Sequence, residues 1–180
     1  MSDPTVPSLH DRLVDCALAL IEAGDGEVSL RAVARAAQVS AMAPYRHFAD
    51  KRALMAAVAL RGFAMLEAEA ADDAIEAADA LTAQGLSYIA FARAHPALFR
   101  LMFADDAGMT LPHDQCRGAY ALMAARVAHM SPDQAEAGAL ACWGLVHGLA
   151  TLALDGRLPP DPVAERAALE LMARALVARS

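Results

Sequence analysis

The stretch VSLRAVARAAQVSAMAPYRHFADK, residues 28–51, contains two short helical patterns joined by about four residues. In the first pattern Ser29 is a suitable N-cap, and Leu30, Val33 and Ala37 recur at helical spacing. The connection AQVS follows, and Ser40 is placed to cap the second pattern. Two short helices joined in this way predict a helix-turn-helix, whose second helix enters the major groove of DNA.

The basic side chains of this stretch contrast with the acidity of the whole chain. The chain of 180 residues has a formal net charge of −7 at pH 7, yet five basic side chains cluster here: Arg31, Arg35, Arg46, His47 and Lys51. Residues 1–62 carry seven Lys or Arg and seven Asp or Glu, so residues 63–180 account for the whole negative excess. Because that acidic part repels polyanions, nucleic acid is expected to bind through the N-terminal third.

The composition predicts an all-α protein of about nine helices. Hydrophobic residues make up 57% of the chain, alanine is abundant, and no segment alternates convincingly at period two. The first helix is capped by Ser8, the next two form the helix-turn-helix, and the fourth is capped by Asp50. Five further helices are predicted at about 74–94, in the segment ALFRLM, and at about 112–129, 132–155 and 161–179.

These helices divide into two predicted domains. Residues 1–52 form a helix-turn-helix DNA-binding domain, residues 72–180 form a C-terminal domain, and the fourth helix, 50–71, connects them. Within the C-terminal domain, SPDQ at 131–134 predicts a capping box with Ser131 as the N-cap.

Three segments of the chain resemble the TetR (tetracycline-repressor-like) family of transcriptional regulators. SLRAVARAAQVSAMAPYRHFADKRAL, residues 29–54, resembles the DNA-binding region of that family. HPALFRLMF and WGLVHGL, residues 95–103 and 143–149, resemble the subset whose C-terminal ligand domain has a Trp…His-Gly signature. The resemblance implies an all-helical homodimer that binds a palindromic operator, usually represses, and is released by a small molecule in its C-terminal domain.

The resemblance also implies roles for residues of the helix-turn-helix. Positions that face bases are occupied by Arg31, Ala41, Met42 and Ala43, and positions that contact phosphates by Ser29, Tyr45, His47 and Lys51. Ser40 is counted with the DNA-contacting residues. Ser29 and Lys51 stand at predicted helix N-termini, where the helix dipole favours a phosphate. The run AMAP has few polar groups, so we expect bases to be contacted through thymine methyls and through Arg31 on guanine.

Two positions depart from the pattern of the family. The turn often has glycine where this chain has Gln38, and a positive φ at Gln38 would cost about 1 kcal/mol. Pro44 falls in the third predicted helix, where it removes one intrahelical hydrogen bond near the N-terminus.

The C-terminal domain offers candidates for an effector pocket and for a dimer interface. The pocket candidates are the aromatic and adaptable side chains Tyr88, Phe91, Phe99, Phe103, Tyr120, Met123, Trp143 and His147, and they predict a small, largely apolar ligand. Core packing is the alternative for each of them. Gly144 and Gly148 form a notch of small residues, so two copies of the last two helices are expected to close a four-helix bundle.

Other functions have weaker support in the sequence. His113, Asp114 and Cys116 are too few donors for a metal site, and no cofactor or catalytic motif is present, so we expect neither a cofactor nor an enzyme. Residues 137–154 carry no charge, but they predict a buried helix of a soluble protein rather than a membrane span. The three cysteines have no CxxC spacing, which favours free thiols in a cytoplasmic protein. Two alternatives to a regulator stay open: a helical ligand carrier, or a protein-interaction module without specific DNA binding.

Overall fold

The computed structural model describes residues 7–24, 28–69, 77–104 and 118–178. Within these ranges the chain is all-α, as predicted, and has no strand. The eight α-helices within these ranges are α1 (Leu9–Ala23), α2 (Leu30–Ala36), α3 (Lys51–Glu69), α4 (Ala77–Ala94), α5 (Pro96–Met102), α6 (Gly118–Met130), α7 (Ala135–Leu154) and α8 (Pro162–Val177).

The chain divides into two compact units. The N-terminal unit comprises Met1–Gly62 and Ala97–Pro112, and the C-terminal unit comprises Phe63–Pro96 and His113–Ser180. The division falls inside α3, and it assigns nearly all of α5 to the N-terminal unit although α5 follows α4 in the sequence.

The N-terminal unit is built on the packing of α1 against α2. The Ser8 hydroxyl accepts a hydrogen bond from the Asp11 amide and so caps α1, as predicted, and α1 ends at Gly24 with a left-handed φ of 67°. The Leu98 amide, in the first turn of α5, donates to the Glu22 carboxylate at 3.1 Å. This hydrogen bond ties α5 to the C-terminal end of α1.

In the C-terminal unit α4 packs against α6, α7 and α8. Its core is a cluster of buried side chains from α4, α6, α7 and α8: Leu81, Met123, Val127, Ala139, Cys142, Ala173 and Leu176. A Cβ at Gly85 would lie 2.8 Å from Leu169, so the glycine allows α4 and α8 to approach closely. The Arg93 guanidinium and the Glu165 carboxylate form a two-pronged ion pair between the same two helices.

The third predicted helix is not an α-helix. The chain forms a turn after Ser40 and a single 3₁₀-helix, Pro44–Arg46. Pro44 has no N–H to donate to the Ser40 carbonyl, and that carbonyl accepts instead from the Ala43 amide at 2.9 Å. The sequence predicts about nine helices, and the structure describes eight α-helices. The difference is this short 3₁₀ element.

The predicted capping box at 131–134 is also wrong. Pro132–Gln134 form a 3₁₀-helix, and the Ser131 side chain makes no capping hydrogen bond. The Ser131 amide is still bonded to the Val127 carbonyl at 2.8 Å, because a single residue separates α6 from the 3₁₀-helix. The Ser131 hydroxyl is consequently buried without a hydrogen-bond partner.

The uncharged stretch at residues 137–154 lies within the helical segment Pro132–Leu154, which is only partly buried in the single chain. It is long and apolar enough to cross a membrane, with a mean hydropathy of 1.6 over a window of which 28% is buried. A single helix of this kind is weak support for a membrane span, since helices of soluble proteins have the same length and composition. The exposed part of α7 includes Leu140, at 68% exposure, and Gly144.

Candidate functional site

The first helix of the helix-turn-helix is held by its cap and its buried face. The Ser29 hydroxyl accepts a hydrogen bond from the Ala32 amide at 3.2 Å, which makes Ser29 the N-cap of α2. Leu30, Val33 and Ala34 are buried. Arg31 and Arg35 are exposed on the same helix, since they are one turn apart.

The turn after α2 contains a left-handed residue, and this chain has glutamine at that position where the family often has glycine. Gln38 has φ of 56° and is the one non-glycine residue with positive φ within the described ranges. The Gln38 amide donates to the Arg35 carbonyl at 3.1 Å, and the Val39 amide donates to the Ala34 carbonyl at 3.0 Å. These two bonds close the end of α2 in the arrangement that usually has glycine at the left-handed position.

Residues 40–47, which we call the recognition segment, are held by buried side chains on one side and exposed on the other. Pro44 and, directly after the segment, Phe48 are buried. Met42 is 66% exposed and Tyr45 is 45% exposed, although both are large and apolar or aromatic. The exposed side chains of the segment also include Ser40, Ala41, Arg46 and His47, whereas Ala43 is half-buried.

The start of α3 completes a basic surface. The Asp50 carboxylate accepts from the Ala53 amide at 2.9 Å and so caps the helix, as predicted. Lys51 and Arg52, in the first turn, are exposed. The His10 ring lies 6.1 Å from the His47 ring, which brings the start of α1 to this surface. Site prediction from the sequence omitted Arg46, Arg52 and His10; the first two could have been included from their charge, but His10 required the tertiary structure.

A small cavity lies among α3, α4, α6, α7 and α8 of the C-terminal unit. Its volume is about 30 Å³. The predicted pocket residues Tyr88, Met123 and Trp143 line it, together with apolar side chains that include Leu66, Leu81, Leu145, Val146, Leu169 and Met172. None of the lining residues that the structure describes is a Lys, Arg, Asp, Glu or His.

Two polar side chains of the cavity wall, Gln84 and Tyr88, form hydrogen bonds within the protein. Gln84 donates to the Ala119 carbonyl at 3.3 Å and accepts from Arg126 at 2.9 Å. The Tyr88 hydroxyl lies 2.8 Å from Nδ1 of His147. Burial raises the pKa of Tyr88 and lowers the pKa of His147, so a protonated phenol and a neutral imidazole form this hydrogen bond.

Trp143 is the centre of an aromatic cluster beside the cavity. Its ring meets the Tyr88 ring edge-on at 5.4 Å and the Tyr120 ring edge-on at 5.6 Å, and it stacks on the His147 ring at 6.1 Å. Tyr120 and His147 are thus next to lining residues without lining the cavity themselves. Burial also raises the pKa of the Cys142 thiol, which lies on the cavity wall as a neutral group.

The remaining pocket candidates lie elsewhere. Phe91 is buried in the C-terminal unit and packs against the His95 ring at 5.0 Å. Phe99 and Phe103 belong to the N-terminal unit, where their rings pack at 4.9 Å. The structure therefore brings together five of the eight candidates around Trp143.

The two glycines of the predicted dimer notch have open space in front of them. A Cβ added at Gly144 or Gly148 would meet no atom within 4 Å, whereas at Gly138, on the same helix, it would lie 2.8 Å from Val127. Gly138 is therefore needed for packing inside the chain, and Gly144 and Gly148 are not.

A metal site has no support in the part of the chain that the structure describes. No group of three or more His, Cys, Asp or Glu side chains there could hold a metal ion. His113, Asp114 and Cys116 lie outside the described residues.

An all-α chain with a helix-turn-helix that exposes basic side chains has the architecture of a DNA-binding regulator. Comparison with known families agrees. Residues 13–58 match "Bacterial regulatory proteins, tetR family", and residues 81–176 match "Tetracyclin repressor-like, C-terminal domain". The chain belongs to the TetR family, whose members are transcriptional regulators and not enzymes.

Solved structures share the fold. A protein of unknown function from Rhodococcus sp. RHA1 is 31% identical, with a TM-score of 0.79 over 98% of this chain and 100% of that one. A TetR variant from Acinetobacter baumannii AYE in complex with minocycline is 21% identical, with a TM-score of 0.61 over 97% and 96%. A TetR-family regulator from Haemophilus influenzae RD is 18% identical, with a TM-score of 0.65 over 93% and 95%. No curated protein sequence matches the chain.

Proposed function

We propose that the chain is a repressor that binds a palindromic operator as a homodimer and is released by a small, uncharged, largely apolar ligand. The observation that carries the proposal is the exposed surface of residues 29–51. It gathers basic side chains, together with an exposed methionine and tyrosine, in a protein with a net charge of −7. Basic residues bind the phosphate backbone, and the acidic remainder repels DNA.

The recognition segment supports base contacts that are mainly apolar. Ala41, Met42 and Ala43 have no side-chain hydrogen-bonding group that could read a base edge, apart from the weak thioether acceptor. Met42, at 66% exposure, is suited to contact the methyl group of thymine in the major groove. Arg31 is exposed on α2 and can donate to guanine. We therefore expect half-sites that combine thymine with guanine.

Phosphate contacts are assigned to the residues around this segment. The Ser29 oxygen is occupied by the Ala32 amide, but its O–H remains able to donate to a phosphate. Lys51 begins α3, where the positive end of the helix dipole adds to its charge. The exposed hydroxyl of Tyr45 and the exposed imidazole of His47 supply further donors.

The homodimer is supported by the exposed faces of α7 and α8. Leu140, on α7, is 68% exposed, and Val163 and Leu171, on α8, are 79% and 68% exposed. Because α7 and α8 pack against each other, a second copy docked on these two helices would cover such exposed apolar side chains. Gly144 is exposed and Gly148 half-buried on α7, and the open space in front of both leaves room for the helix of a second copy. Two copies would then place two helix-turn-helices on one palindrome.

The ligand class follows from the cavity. The lining is uncharged and largely apolar, and two of its polar side chains, Gln84 and Tyr88, already have partners inside the protein. No described residue of this lining is charged, so an ionised ligand would be buried there without a counter-charge in direct contact, which is unfavourable. Ligand pockets typically have volumes of about 300–1,000 Å³, so a cavity of about 30 Å³ has to open. The flexible side chains of Met123 and Met172 are suited to move aside.

Selection of binding sites from random duplex DNA tests the operator. The proposal predicts enrichment of a palindrome whose half-sites are about one helical turn, or a multiple of it, apart. Replacing thymine by uracil in the selected half-site removes only the methyl group and is expected to weaken binding by the wild-type protein more than by Met42→Ala. Absence of any enriched sequence, together with salt-independent binding, would favour an interaction module or ligand carrier instead.

Three aromatic probes of similar shape test the ligand class: benzyl alcohol is neutral, benzoate anionic and benzylamine cationic at pH 7. The proposal predicts that benzyl alcohol raises the melting temperature and changes the fluorescence of Trp143, the single tryptophan. Benzoate and benzylamine are expected to do neither. Cys142→Leu, which fills the cavity wall, is the matched control and should abolish the response. Stronger binding of either ion would contradict the uncharged class.

A further inference from the structure

The C-terminal end of α2 combines a strained residue with a carbonyl that needs a donor. Gln38 adopts φ of 56°, a conformation that disfavours residues with a Cβ. The last carbonyls of a helix have no partner inside that helix, and they are stabilised by cations. The Ala37 carbonyl, directly before Gln38, is one of these groups.

Arg12 supplies the donor from another helix. Its Nη2 donates to the Ala37 carbonyl at 3.0 Å, across a separation of 25 residues. Ala37 itself is 4% exposed. Arg12 lies on α1 next to Leu13 and Val14, which are buried in the core, so its position relative to α2 is fixed by packing. The hydrogen bond thus fastens the left-handed turn to α1.

We infer that Arg12 is a positioning residue for DNA recognition, an inference that rests on the proposed function. The Arg12–Ala37 hydrogen bond holds Gln38 in its left-handed conformation and so fixes the direction in which the chain leaves α2. That direction determines where Met42 and its neighbours meet the bases. Arg12 therefore acts on sequence preference through the turn, and not as a charge on the phosphate backbone.

Arg12→Met removes both the donor and the charge and keeps most of the apolar stem. The two roles then differ in the change of DNA binding that they predict. A positioning residue predicts that the ratio of affinities for selected operator and random DNA falls about tenfold. Affinity for random DNA and its salt dependence should stay unchanged. A phosphate contact predicts equal losses on both DNAs and a salt slope smaller by about 1, and that result would overturn the inference.

Gln38→Gly provides the second arm. Glycine adopts the left-handed conformation without strain, so the turn no longer depends on Arg12. The double variant Arg12→Met/Gln38→Gly should regain most of the lost operator preference. If Arg12→Met lowers the operator preference equally with glycine and with glutamine at position 38, the two sites do not interact. That result would overturn the inference. If Arg12→Met alone does not fold, a double variant that folds and prefers the operator supports the inference, and one that does neither overturns it.

Amide hydrogen exchange gives a readout that does not involve DNA. The Val39 amide is bonded to the Ala34 carbonyl across the turn. Arg12→Met should accelerate exchange of this amide, and Gln38→Gly should restore protection in the double variant. Unchanged protection in Arg12→Met would contradict the inference. If the wild-type protein itself prefers no sequence, the proposed function fails, whereas exchange still tests the Arg12 contact alone.

Discussion

The Tyr88 hydroxyl of α4 and Nδ1 of His147 on α7 are joined by a hydrogen bond of 2.8 Å beside the cavity. Trp143 stacks on the same imidazole and meets the Tyr88 ring edge-on. Sequence alone identifies Trp143 and His147 as neighbours one helical turn apart, but the structure supplies the tyrosine that satisfies the histidine. The cluster places a titratable imidazole beside the apolar core of the C-terminal unit.

His147 is expected to make folding stability fall at mildly acidic pH. Burial lowers the pKa of His147 in the folded state below its ordinary value of 6.5, so the unfolded state binds the proton more readily. The stability that the neutral, buried imidazole contributes is fully present above pH 6.5 and is lost as the pH falls through the lowered pKa of His147. Urea unfolding between pH 8 and pH 5 measures it. His147→Gln should flatten the profile in this window, and a variant profile that parallels the wild type would contradict the assignment.

Gln38→Gly is expected to raise the free energy of unfolding by up to about 0.5 kcal/mol. The native φ of 56° is strained for glutamine and unstrained for glycine, and this difference exceeds the entropy that glycine adds to the unfolded chain. Denaturant unfolding monitored by circular dichroism measures the change. Gln38→Ala, which retains a Cβ, is the control and should bring no gain. Equal stability of the glycine and alanine variants would show that the turn is not strained.

Two serines that precede helical segments are expected to respond differently to alanine. Ser29→Ala removes the hydroxyl that caps α2 and should destabilise the chain by about 1 kcal/mol. Ser131→Ala removes a buried hydroxyl that has no partner, so it should be neutral or stabilising. Parallel urea titrations compare the two. A loss of about 1 kcal/mol at Ser131 would indicate a capping hydrogen bond after all.

Gly144→Leu is expected to weaken the homodimer without unfolding the chain. The added side chain meets open space within one protomer, and leucine is a better helix former than glycine. In the dimer the same side chain would occupy the space of the partner helix. Sedimentation velocity should show at least a tenfold rise in the dissociation constant, equivalent to about 1.4 kcal/mol. Ala121→Leu introduces the same side chain on the exposed side of α6 and should leave the dimer intact. A monomeric wild type at micromolar concentration would refute the interface.

Much of the fold could be predicted because its signals are local. The caps Ser8, Ser29 and Asp50 each accept a backbone amide as expected, since a cap needs only its own helix. The positive φ of Gln38 was also predictable from its place in the turn. These features, with the helical periodicity, are sufficient for an all-α helix-turn-helix protein.

The features that could not be predicted depend on competition or on distant contacts. Pro44 changes the geometry of the recognition segment because the loss of one donor favours a 3₁₀ bond to Ser40 over an α-helix. Ser131 fails as a cap because its amide still belongs to the preceding helix. Phe99 is a pocket candidate because it is aromatic, whereas the fold places it in the N-terminal unit. Arg12 gave no periodic signal, since its partner lies 25 residues away.

Salt-dependent affinity for the selected operator and for random duplex tests the central claim, that residues 29–51 bind and recognise DNA. Dissociation constants are measured between about 50 and 200 mM salt for the wild type, Arg31→Ala and Lys51→Ala. Lys51→Ala should weaken binding to both DNAs and reduce the salt slope by about 1. Arg31→Ala should lose about 1–3 kcal/mol on the operator alone, with its slope nearly unchanged. Equal losses on operator and random DNA for Arg31→Ala, or a wild type that binds both equally and independently of salt, would contradict the claim.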